Sequence, residues 1–277
     1  MPYRLIAIDL DGTLLQKDGT ILPRDLEAIA RVRNAGVRVT LCTGRLYSGS
    51  RHVADQLELD GPMGCVDGSQ LMLHAKTGSS SMHVTGIQGE HALQLRELLG
   101  RRKSARFFVA GDRIIYDAAG AEFAPFVTTW SRDLELADDL HAHPLWLDAA
   151  GVLAGIVVAP MADVEASAAE VRAELGAPVS VTTFPLRRFD GLSGMMVRAS
   201  GRTKGTALHA IGERLGIGVK QMVAVGDWHN DVPMFEVVGR SFAMKTAPEE
   251  VRAKATDQVG RELHEGGVAE AIERAFG

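Results

Sequence analysis

The sequence predicts an α/β fold: a doubly wound, Rossmann-like parallel-sheet core with an inserted α/β domain. Three observations predict it. The chain opens on Leu5-Ile6-Ala7-Ile8, an apolar run that suits a strand buried on both faces of a parallel sheet. An acidic residue, Asp9, follows at the strand's carboxyl end, where open α/β sheets place their ligands. Strand and helix patterns then alternate, give way to mixed hairpins and helices, and resume near the end of the chain. The interruption marks an insert over about 84–190, between core segments 1–83 and 191–277.

The elements follow in order. Gly12 lets the chain turn sharply after the first strand, and a helix is expected from about Asp25 through Asn34. Its apolar stripe is Leu22, Leu26, Ile29 and Ala30, imperfect because Arg33 stands where it should continue and Val32 falls beside it. Gly36 marks the stop. A strand over 37–42, a helix over 46–57 and a short strand Met63-Gly64-Cys65-Val66 complete a βαβαβ alternation. Leu71-Met72-Leu73 and Ser81-Met82-His83-Val84 read as a hairpin, followed by a helix over about 90–100 and a second hairpin around Gly111-Asp112. Leu153–Ala159 is a strand, Ala162–Leu175 a helix and Pro178–Thr183 a strand. From Gly194-Met195-Met196-Val197 the chain is expected to return to the core. A helix from Lys204 to Leu215, strands at 222–225 and 242–244, and a last helix from Val268 close it.

Polar clusters sit where these elements start or stop. Asp9-Leu10-Asp11-Gly12-Thr13 follows the first strand, Thr43-Gly44-Arg45 the second, and Lys204-Gly205 opens a helix. Gly226-Asp227-Trp228-His229-Asn230-Asp231 follows the strand Met222-Val223-Ala224-Val225. Together, in this order, they resemble the four motifs of the haloacid dehalogenase superfamily of phosphatases. The match is closest to its Cof-type branch and runs from Asp9 to the Glu265-Gly266-Gly267-Val268-Ala269 tail. The resemblance implies a phosphatase core, with the insert as an α/β cap that closes over substrate and reads its leaving group.

The chemistry suits the residues. A phosphate monoester is hydrolysed in two steps if a carboxylate takes the phosphoryl group first. Asp9 fits that nucleophile, and Asp11 fits the acid that protonates the leaving alcohol and then the base for water. By resemblance, a magnesium ion is held by the Asp9 carboxylate, the Asp11 carbonyl and Asp227, with Asp231 binding or orienting it. Clustered carboxylates without a cation repel one another, which itself argues for a metal. Lys204 is expected to hold Asp9 ionised and grip the phosphate. Thr43, with the amides after it, is expected to donate to phosphate oxygens, Gly44 to serve the turn there and Asn230 to support the fourth loop.

Each residue has a plainer reading: Lys204 as a solvated helix start, Thr43 as a cap, Asp227 and Asp231 as turn residues. It is the ordered set that outweighs them. Two departures stand out. Asp67-Gly68 occupies the place where the family usually carries Asn-Gly, so the resemblance implies no contact there. Trp228 is bulky where the family is often small or polar, and suits either core packing or the cap entrance. His141-x-His143 looks metal-like but lacks further ligands, and reads as a surface loop. Arg187-Arg188-Phe189-Asp190, where the insert returns to the core, reads as a linker or as a site for an anionic substrate.

Composition narrows the partners. The 277 residues carry a net charge of −5 and show no basic footprint, so nucleic acid is not an expected partner. Cys42 and Cys65 lie in apolar strands, which suits buried thiols in a reducing cytoplasm. No signal peptide is visible, and no apolar run approaches the ~18 residues of a membrane span. The expected partner is a small phosphorylated metabolite, such as a sugar phosphate; the sequence does not give an oligomeric state. A phosphomutase sharing the nucleophile, and a non-catalytic metabolite-binding module, are the competing readings. A dinucleotide or P-loop protein is not, because no Gly-x-Gly-x-x-Gly or Gly-Lys-Ser/Thr loop is present.

Overall fold

A computed structural model describes residues 2–186 and 189–277, so Arg187 and Arg188 of the basic linker lie outside the described residues. The chain forms two compact units: one of residues up to Gly44 with Ser50–His83 and Arg202–Gly277, the other of Arg45–Gly49 with Val84–Gly201.

The first unit is built on a five-stranded parallel sheet, in the order Asp257–Gln258, Arg240–Ala243, Met222–Gly226, Leu5–Ile8, Arg38–Leu41. Leu5–Ile8 is interior, pairing with Met222 and with Arg38 from Leu5 onward, and its four side chains are fully buried. That is the environment its unbroken apolar run demands. One face is covered by the helix Lys204–Leu215, whose Ala207, Leu208 and Ile211 meet Leu5, Ala7, Met222 and Ala224. Thr203 and Thr206 start this helix with reciprocal side-chain bonds to each other's amides, and Gly216 ends it in the left-handed conformation.

The third strand departs from the expected pattern. Gly61–Cys65 joins the parallel sheet only through a Cys42–Gly64 bridge, and otherwise pairs antiparallel with Gln70–His74 in a separate three-stranded sheet ending at Ser80–Val84. The tight return through Val66–Gly68 leaves no room for a crossover helix, so an antiparallel neighbour is the only product.

The first helix, Pro23–Asn34, also corrects the expectation. It buries Asp25, Ala28, Ile29 and Val32, while Leu22 is only its N-cap. Asp25 is inward because its Oδ1 accepts the Ala269 amide at the start of the last helix, Gly267–Phe276. Its Oδ2 is buried without a hydrogen bond, and burial pushes the carboxyl up to about 6. A raised carboxyl stabilises the fold below its unfolded value and loses that contribution as pH rises through the folded one. Asp25→Asn keeps an acceptor but cannot ionise. The stability of this variant relative to wild type, from urea unfolding, is therefore expected to rise by up to about 3 kcal/mol between about pH 4 and about pH 6. A flat difference across that range would show that Asp25 does not carry this linkage.

The second unit is a six-stranded sheet, in the order Val179–Pro185, Leu192–Ala199, Val152–Pro160, Ala105–Ala110, Arg113–Tyr116, Leu134–Leu136. All neighbours are antiparallel except the last pair. Helices Gly89–Gly100 and Met161–Leu175 supply Leu95, Leu98, Leu99, Val164, Ala168 and Val171 to its core. Leu192–Ala199 is thus an inner strand of this sheet, not the return to the first; the return falls at Arg202, and 191–201 belongs with the insert. Among the described residues His141 and His143 belong to no cluster of three metal-ligating side chains; they pair with Glu97 and Glu135 respectively. No helix among the described residues is long and apolar enough to cross a membrane.

Candidate active site

Because the strands of the first sheet run parallel, their carboxyl ends share one edge, and the sequence motifs meet there. Asp9 continues the interior strand Leu5–Ile8, its amide donating to Val225 O at 3.0 Å. Thr43 follows the neighbouring strand with its amide on Gly64 O at 2.9 Å, and is buried. Asp227 leaves the other neighbour, and its Oδ1 accepts the buried Thr13 hydroxyl at 3.1 Å. Gly12, at φ +84°, passes so close that a Cβ there would lie 2.2 Å from Asp227 Oδ2. Only glycine fits both demands.

Lys204 sits in the middle. Its ammonium donates to Asp9 Oδ1 at 2.5 Å and to Asp231 Oδ1 at 2.6 Å, and only 1% of its side chain is exposed. A cation at the first position of a helix is locally unfavourable, so the carboxylates, not the helix, keep it there. Asp231 Oδ2 accepts the amides of Asp227 and Trp228 at 2.8 and 2.9 Å, which ties the fourth loop into a turn. A Cβ on Gly226 would collide with Asp231 Cγ at 2.4 Å.

Carboxylate oxygens of Asp9, Asp227 and Asp231 lie within 4.8 Å of one another, the only such group of three metal-ligating side chains among the described residues. Three carboxylates face one ammonium. Burial raises the Asp9 carboxyl well above its ordinary value; Lys204 opposes this, while Asp231 and Asp227 add to it. Burial, then Asp231, lifts Asp227 to about 7. For Lys204 burial pulls downward, but Asp231, Asp9 and Asp67 prevail and hold it firmly protonated. An oxygen-rich, electron-rich pocket short of positive charge is the donor set that suits a hard divalent cation. Cys42, beside this cluster, is pushed by burial up to about 12 and stays a thiol.

Asp11 is exposed, and its charge bears on Asp227. Gly44 lies beside Asn230 and Asp67: a Cβ on it would be 3.8 Å from Asn230 Nδ2 and 3.5 Å from Asp67 Oδ1. Arg45 is buried and its Nη1 donates to Gly49 O at 3.4 Å. Trp228 is 51% exposed, edge-on to His229, so it does not pack into the core. Two partners went unread in the sequence. Thr13 fixes Asp227, and Asp67 accepts Asn230 Nδ2 at 2.8 Å. Thr13 had a signal, its place in Asp-x-Asp-Gly-Thr; Asp67 had only its unusual charge.

Comparison with known proteins agrees with this geometry. The model of the haloacid dehalogenase-like hydrolases matches residues 6–272. The pyridoxal phosphate phosphatase YbhA of Escherichia coli is 28% identical, over 94% of this chain and 94% of its own. The 5-amino-6-(5-phospho-D-ribitylamino)uracil phosphatase YwtE of Bacillus subtilis is 26% identical, over 98% and 97%. Among solved structures, a Thermotoga maritima protein superposes with a TM-score of 0.83 at 20% identity, covering 99% of this chain and 98% of that one. A sugar phosphatase of haloacid dehalogenase subclass IIB superposes with a TM-score of 0.74 at 18% identity, covering 98% of each. With its motifs gathered at one sheet edge and the family match spanning nearly its whole length, the chain belongs to the haloacid dehalogenase-like hydrolases, in their Cof-type branch, and is a phosphatase of that superfamily.

Proposed function

We propose that the protein is a magnesium-dependent phosphatase that hydrolyses a small phosphorylated metabolite through an aspartyl-phosphate on Asp9. The observation that carries this reading is the Lys204 ammonium, bonded at once to Asp9 and Asp231 inside a three-carboxylate cluster. Asp9, the Asp11 carbonyl and Asp227 would hold magnesium. Asp231, whose two oxygens are engaged by Lys204 and by amides, orients the set. Bound there, the ion offsets the carboxylates and draws charge from the transferring phosphoryl group.

The chain's own groups do the rest. Asp9 attacks phosphorus while Asp11, exposed at the same strand end, protonates the leaving oxygen. Asp11 then takes a proton from the water that attacks the aspartyl-phosphate, and Asp9 is regenerated. Lys204 anchors Asp9 and grips the phosphoryl oxygens, and Thr43 with the Gly44 amide donates to them. Asn230 lines the same place. The relatives act on pyridoxal phosphate and on a phosphorylated ribitylaminouracil, so a phosphate monoester of comparable size, including a sugar phosphate, is the substrate class. The insert chooses among leaving groups, because the motif residues address phosphate and metal alone.

Phosphate release from an aryl phosphate is expected to vanish with chelator and to return with magnesium. Calcium should restore little, because its larger, looser coordination misplaces Asp9 against phosphorus. Undiminished turnover after verified metal removal would overturn the magnesium reading.

A further inference from the structure

The return between strands Gly61–Cys65 and Gln70–His74 is strained in a way that its length does not require. Val66, Asp67 and Gly68 take φ values of +48°, +48° and +95° in succession. Glycine is at home there and Asp tolerates it, but a β-branched Val in this region is a true outlier. A four-residue hairpin loop is ordinarily built around a type I turn with no such run. Backbone held in a sparsely populated region persists only when its surroundings over-determine it, and such places cluster at functional sites.

Here the surroundings are the motif residues. The Asp67 amide donates to Thr43 O at 3.0 Å, and Ser69 N closes the turn on Val66 O at 3.0 Å. Gly68 lies against the residue before Lys204, where a Cβ would fall 2.4 Å from Thr203 O. Clamped between the second and third motifs, the turn delivers the Asp67 side chain, 7% exposed, to Asn230 of the fourth. Asp67 Oδ1 accepts Asn230 Nδ2 at 2.8 Å, beside Gly44.

We propose that Asp67 is a positioning residue of the phosphoryl site, acting through Asn230. An amide side chain has a donor end and an acceptor end and turns over easily. An ionised carboxylate only accepts, so it fixes which end faces it. With Nδ2 committed to Asp67, the Asn230 carbonyl oxygen is turned away, and the second Nδ2 hydrogen has a defined direction. A neutral amide at 67 pairs with Asn230 in either orientation and specifies less. The inference rests on the reading of Asn230 and Gly44 as residues that face the phosphoryl group.

The test is a cycle of D67A, D67N, N230A and the double variant D67A/N230A. Three quantities are read: kcat and KM on an aryl phosphate with magnesium, and calorimetric affinity for inorganic phosphate, which needs no turnover. A charge-assisted hydrogen bond of this kind is expected to be worth about 10- to 100-fold. D67A should raise KM and weaken phosphate binding by that factor, N230A by a similar one, and the double variant by no more than about 3-fold beyond the worse single. D67N should recover part of the loss. Additive effects, or a D67A variant that only melts lower while KM and phosphate affinity stay put, would overturn the positioning role. Should D67A not fold, D67N with and without N230A carries the same comparison, and additivity there overturns it equally. Wild-type protein that binds phosphate but hydrolyses no ester would sink the phosphatase reading while leaving the coupling readable. Wild-type protein that does neither overturns both.

Discussion

Asp9→Asn is expected to abolish turnover of every phosphate ester, by about 10⁴-fold or more, as removal of a covalent nucleophile does elsewhere. The amide keeps the shape of the carboxylate and an oxygen for the Lys204 ammonium, which bonds Asp9 Oδ1 at 2.5 Å. The buried strand end should therefore stay in place, checked by an unchanged circular dichroism spectrum. What disappears is the anionic carboxylate oxygen that the proposed mechanism needs as nucleophile, and with it one negative charge for the proposed metal. Binding is tracked separately by inorganic phosphate affinity, which is expected to survive because Thr43, Gly44 and Lys204 remain. Turnover within about 10-fold of wild type would show that Asp9 is not the nucleophile.

Asp11→Asn separates the second aspartate from the first. Its backbone carbonyl stays, so the proposed metal set is unchanged, and only proton transfer is lost. General acid–base help contributes about 10²–10⁴-fold. The loss should depend on the leaving group: severe for a sugar phosphate, whose alkoxide must be protonated, and mild for an activated aryl or acyl phosphate. The second step should slow as well, since no base remains for water. Equal losses across leaving groups of different basicity would remove Asp11 from the acid's role.

How much of this could be read from the chain depends on how local each signal is. Leu5–Ile8 was legible because a strand buried on both faces writes itself as an unbroken apolar run. The helix from Lys204 was legible for its spacing and for Gly216. Pairing partners were not. Leu192–Ala199 looks like any apolar strand, and nothing within it says that its neighbours are Val152–Pro160 and Val179–Pro185 rather than the parallel sheet. Gly61–Cys65 was misplaced for the same reason, its antiparallel partner being fixed by a tight turn whose Val66 and Asp67 conformations no propensity announces. Asp25 hid in the first helix because a carboxylate is the last side chain a stripe assigns to the inside; its reason, the Ala269 amide, lies 244 residues away. The site divides likewise. Asp9, Thr43, Lys204 and Asp227 sit at element ends, where backbone logic shows them. The Asp67–Asn230 bond spans 163 residues and needed the fold to be seen.

The measurement that tests the central claim most directly is the location of the phosphoryl group. Asp11→Asn enzyme mixed with magnesium and an activated aryl or acyl phosphate, then quenched in acid, should gain the mass of one phosphoryl group, and peptide mapping should place it on Asp9. The Asp9→Asn enzyme, treated alike, should gain none. Phosphoryl found on Asp11 in the wild-type enzyme, on any residue other than Asp9, or on no residue in an enzyme caught turning over, would contradict the mechanism.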